Sequence, residues 1–168
     1  MNKKIITDSL STLMVLSLSI ALFISCERGN HTTAYPSDTS DQVTISQGVW
    51  GNVWLWEGDF QPIEPSGTIT PVVREIFVHT LTPLDSVDQV GYSAFYYEIH
   101  TPLVTTTESN ITGFFEVELP PGQYSFFVKE DSLFYANLFD GQGNILPATV
   151  AEDSVTKVQI DITYKATF

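Results

Sequence analysis

The chain has 168 residues, 43% of them hydrophobic and only 16% charged, with 7 Lys and Arg against 20 Asp and Glu. That length makes one domain, and the apolar share is too high for a chain disordered throughout. A formal charge of −13 repels nucleic-acid phosphates and anionic lipid headgroups, and a single cysteine excludes an intrachain disulfide or a Cys-based zinc site.

The chain opens with Lys3 and Lys4, followed at residues 13–24 by an uncharged apolar run interrupted only by two serines. A membrane-spanning helix needs about 20 apolar residues, so this run is too short to span and has the layout of a secretory signal peptide over residues 1–25. The run ends at Phe23-Ile24-Ser25-Cys26, and Cys26 is the one cysteine. A small residue before a cysteine at that place resembles the processing site of bacterial lipoproteins, although Phe23 stands where that family usually has Leu. The resemblance implies cleavage before Cys26, acylation (palmitate among the acyl groups) and anchoring in the bacterial envelope, at the outer membrane. Cleavage would remove two bases and one acid, leaving a charge of −14. The anchor is then the acyl chains and not electrostatics, and stable attachment takes at least two of them.

Residues 27–42, ERGNHTTAYPSDTSDQ, carry no hydrophobic period and read, with Cys26, as a flexible tether. Sixteen such residues reach roughly 20–25 Å as a random coil. From residue 43 to 168 the texture is that of one β-rich domain. In QGVWGNVWLWE, Val49, Val53 and Leu55 share one parity and Trp50, Trp54 and Trp56 the other. VVREIFVHT at 72–80 alternates less cleanly. Phe115, Val117 and Leu119 share a face opposite Glu116 and Glu118. Pro120-Pro121-Gly122 reads as a turn, after which Tyr124, Phe126 and Val128 fall together, and near the end Val158, Ile160, Ile162 and Tyr164 do the same. No amphipathic helix or internal repeat follows the signal peptide. About seven or eight short strands predict an all-β, two-sheet antiparallel sandwich, with Phe115, Val117, Tyr124, Phe126 and Ile160 in its core.

The run TPLVTTTESNITGFFEVELPPGQYS at 101–125 resembles the core of the carboxypeptidase regulatory-like domain, a transthyretin-like (prealbumin-like) sandwich. The shared features are Pro102, a Thr-rich strand, a polar turn closing at Gly113, Phe115, and Pro121-Gly122-x-Tyr124. Gly51-Asn52-Val53 resembles the family's first strand. Residues 59–100 are longer than the family's usual connection, so the strands there are the least defined. The resemblance implies an accessory module without catalytic residues of its own, and hence no enzyme.

The residues offer little catalytic chemistry. His79 and His100 are the histidines of the domain, no G-x-S-x-G elbow exists, and no His pairing has zinc-ligand spacing. Asp140-Gly141-Gln142-Gly143-Asn144 alternates oxygen side chains as a calcium loop does, but the twelfth position is Ala151, so a Gly-rich turn accounts for it. Asn110-Ile111-Thr112 reads as turn chemistry and Glu130-Asp131 as a strand end. Neither metal nor cofactor is expected.

The expectation is therefore a non-catalytic, lipid-anchored envelope module that touches the membrane through its acyl chains and binds a protein or a glycan. A structural spacer of an envelope assembly, or a small hydrolase, are the alternatives. The candidate binding platform is Trp50, Trp54 and Trp56, sent outward if Val53 and Leu55 face the core. Tryptophan is costly to leave wet, so the sequence predicts a cover from the run Leu133-Phe134-Tyr135-Ala136-Asn137-Leu138-Phe139 or from Tyr96 and Tyr97, or else a ligand.

Overall fold

A computed structural model describes residues 39–168. The signal peptide, Cys26 and most of the tether lie outside the described residues. Eleven strands and two short 3₁₀ turns make up the described chain, with no α-helix among them.

Four strands form the first sheet. β1 (Gly48–Asp59) is its central strand, with β11 (Val155–Thr167) on one side. Its other side is shared by β7 (Phe114–Glu118), opposite Gly48 to Asn52, and β2 (Thr68–Pro71), opposite Trp54 to Glu57. The second sheet runs β4 (Val87–Gln89), β5 (Phe95–Ile99), β9 (Leu133–Tyr135), β8 (Gly122–Glu130), β3 (Glu75–Thr80), β6 (Leu103–Glu108), with β10 (Pro147–Val150) also on β8. The two-sheet sandwich expected from alternation is the fold observed. Its strand number exceeds the seven or eight expected because β2, β4, β9 and β10 are only three or four residues long, too short to show a period. One pairing also differs in direction: β1 and β11 run parallel. A parallel pair needs a long crossover, and here the whole domain between first and last strand supplies it.

The core lies between the sheets. Val49, Val53 and Leu55 of β1, Phe115 of β7 and Val158, Ile160 and Ile162 of β11 meet Ile76, Val78, Phe126, Val128 and Tyr135 of the second sheet. Of the five predicted core residues, Phe115, Tyr124, Phe126 and Ile160 are buried and Val117 is partly so. Gly51 is required by close approach: a Cβ there would lie 1.8 Å from the carbonyl oxygen of Val158 and 2.9 Å from the Phe115 ring.

The two turns read as reversals do something else. β6 and β7 belong to different sheets, as do β7 and β8, so both connections are corners that carry the chain across the sandwich. At the first, Asn110 Oδ1 accepts from the backbone N–H and the hydroxyl of Thr112 and from Phe114 N–H. Gly113 follows at φ 77, and its carbonyl accepts from Val53 N–H at 2.9 Å. At the second, the Tyr124 hydroxyl donates to the Pro120 carbonyl at 2.9 Å and pins the corner.

A partly buried ion pair and a hydrogen bond from Tyr164 add a polar tie between the sheets beyond the apolar core. Glu130, at the end of β8, accepts from Arg74 Nε and, at 2.8 Å, from the hydroxyl of Tyr164 in β11. Burial and the Glu130 hydrogen bond push the Tyr164 phenol up to about 12, so it stays a donor throughout the physiological range. Glu130 is thus more than the strand end read from the sequence.

Candidate functional site: the outer face of the first sheet

Period-two geometry along β1 turns Val49, Gly51, Val53 and Leu55 to the core and Trp50, Asn52, Trp54 and Trp56 to the other side. All three tryptophans therefore share the outer face, as expected, but they are not equally accessible. Trp50 and Trp56 are half-buried, while Trp54 is only 3% exposed. The Lys157 ammonium of the paired β11 sits 4.6 Å from the Trp50 ring centroid, and Phe114 of β7 lies at 6.3 Å on the same face. Such a cation–π contact stabilises by about 0.5–1 kcal/mol at an exposed site.

At the far end of β1 the Trp56 indole N–H donates to Asp161 Oδ1 at 3.1 Å. Its ring packs 4.9 Å from Phe60 and 6.0 Å from Phe168, and those two stack at 5.7 Å. Phe168 is 68% exposed. Glu57 and Lys165 form a surface pair beside this cluster.

The predicted cover is not the one the structure has. Leu133 to Tyr135, Tyr96 and Tyr97 belong to the second sheet, on the far side of the core. Phe134 packs there on Phe77 and Phe127, Tyr135 on Phe95 and Tyr164, and Tyr96 on Phe127. What lies on the tryptophan face is the segment leading into β1. Thr39 is buried, and its hydroxyl donates to Asn52 Oδ1 at 2.9 Å. Asn110 Nδ2 donates to Gln42 Oε1, and Thr44 donates its N–H and hydroxyl to the Glu116 carboxylate at 2.8 and 2.5 Å. These bonds hold the Glu116 carboxyl below its ordinary range. Residues 39–42, read as the end of a flexible tether, are therefore fastened to the domain.

Asn52, Phe60, Thr39, Glu116 and Phe168 were not singled out by the sequence. The visible signal was Asn52, an amide at an outward position flanked by tryptophans. Apart from Phe60, four residues from Trp56, the contacts of the others span up to 112 residues of chain and leave no local pattern.

The remaining sequence candidates fall elsewhere. His79 is buried against Phe127, its Nδ1 2.9 Å from the Thr101 carbonyl oxygen, and desolvation lowers its pKa below the ordinary 6.5. His100 instead pairs with Asp88 on the surface. In the Asp140–Asn144 turn, Asp140 accepts from Gln142 N–H and from both Asn144 nitrogens, so its carboxylate is spent on holding the turn. No group of three metal-ligating side chains occurs among the described residues. No protein-family model matches this chain, nor does any curated protein or solved structure.

Proposed function

We propose that this protein is a non-catalytic, lipid-anchored module of the bacterial envelope whose first sheet presents a binding face to a protein or glycan partner. The observation that carries the reading is the aromatic row on the outer face, ending in the cluster of Trp56, Phe60 and the exposed Phe168. Aromatic side chains concentrated on a solvent-side face supply binding area at low entropic cost and dominate interface energetics. The anchor is supported by Cys26 at the end of the apolar run. The family assignment as a carboxypeptidase regulatory-like domain rests on the sequence features Pro102, Gly113, Phe115 and Pro121-Gly122-x-Tyr124. The burial of Trp54 favours the second reading, a structural spacer in which the row is simply a second core.

Purification of the acylated protein from its native envelope tests both halves. Intact mass should show loss of residues 1–25 and added acyl mass on Cys26; an unmodified thiol would overturn the anchor. A partner that co-purifies with the wild type should be lost from the Phe168→Ala protein at an unchanged melting temperature, since Phe168 is the exposed ring of the cluster. Equal recovery with both would favour the spacer.

A further inference from the structure

The segment on the tryptophan face makes an incomplete fit. Thr39 and Thr44 aim hydroxyls at an amide oxygen and a carboxylate on a face otherwise built of Trp50, Trp54 and Phe114. Asn52 Nδ2, in the middle of that face, is buried and has no hydrogen-bond partner. A buried donor left unsatisfied is destabilising, and a better-matched occupant would remove that cost.

We propose that residues 39–46 are a displaceable strap that keeps the place of a neutral glycan. When the strap lifts, sugar hydroxyls take the positions of the Thr39 and Thr44 hydroxyls beside Asn52 and Glu116, and the apolar face of the sugar ring lies on the Trp50 and Phe114 rings of the same face. The proposal rests on the reading of this face as a binding surface and names its ligand class. A hydroxyl both donates and accepts, so two neighbouring sugar hydroxyls satisfy Asn52 Oδ1 and Nδ2 together, which one threonine hydroxyl does not. A peptide strand is the poorer match, because β1 is paired along both sides and offers it no free ladder. With the strap down only a fraction of molecules is competent, and apparent affinity falls by that fraction.

The test uses the full chain in detergent, with Thr39→Ala/Thr44→Ala to loosen the strap and maltohexaose, cellohexaose and chitohexaose as probes. Acrylamide quenching of tryptophan fluorescence should rise in the variant. Binding of at least one probe should tighten about tenfold over wild type and be lost when Asn52→Ala is added. Unchanged quenching would overturn the strap; raised quenching with no probe bound would overturn the glycan. Should the variant fail to fold, hydrogen exchange in the wild type decides instead: the Thr44 amide exchanging faster than those of β1 supports the strap, and equal protection overturns it. Co-purification of an envelope partner uses no added sugar, so failure here is distinguishable from failure of the binding-face reading.

Discussion

Replacing Phe115 by alanine should lower the melting temperature of the domain by roughly 10–20 °C, the equivalent of about 3–5 kcal/mol for a large buried aromatic. Phe115 is 1% exposed and faces Phe126 across the sandwich, with ring centroids 6.5 Å apart. It also stands opposite Gly51 in the β1–β7 ladder, so its ring occupies space that no side chain on Gly51 could fill. Collapse into the cavity is therefore blocked from the β1 side by backbone. Thermal melts followed by circular dichroism check this, and an unchanged midpoint would mean that the strand does not turn Phe115 inward.

Removal of Arg74 should be nearly as damaging. Glu130 is only 6% exposed, and Arg74→Met leaves its carboxylate with the Tyr164 hydroxyl as its remaining side-chain partner. Breaking a buried pair from one side costs about 3–5 kcal/mol, and the partial exposure of Arg74 places this case at about 3. The penalty comes from the stranded charge, so Arg74→Met/Glu130→Met should be more stable than Arg74→Met alone. Chemical denaturation of the single and double variants measures the difference. A double variant less stable than the single one would show that the pair itself, and not the unpaired charge, sets the penalty.

The contrast between these two sites explains what could be read from the sequence. Phe115 sits in a strand whose apolar residues alternate with acids, and alternation fixes a face from local information alone. The same reasoning oriented β1, β8 and β11 and placed the tryptophans outward. Glu130 does end β8 as read, but its ion pair was not legible because its partners lie 56 and 34 residues away. Residues 59–100 were poorly defined because strands of three to six residues are set by their neighbours more than by their own period. The cover over the tryptophans escaped for a third reason. Its residues are polar and turn-forming, so they resemble a linker, and Thr44 finds Glu116 across 72 residues.

The central claim is that the outer face of the first sheet is the surface that meets a partner. Site-specific photocrosslinking in intact cells tests it most directly, with the photoreactive residue at position 168 of the tryptophan face or at the exposed position 97 of the second sheet. A discrete adduct from position 168 and none from position 97 is the expected result. No adduct from position 168, or the same adduct from both, would contradict the claim.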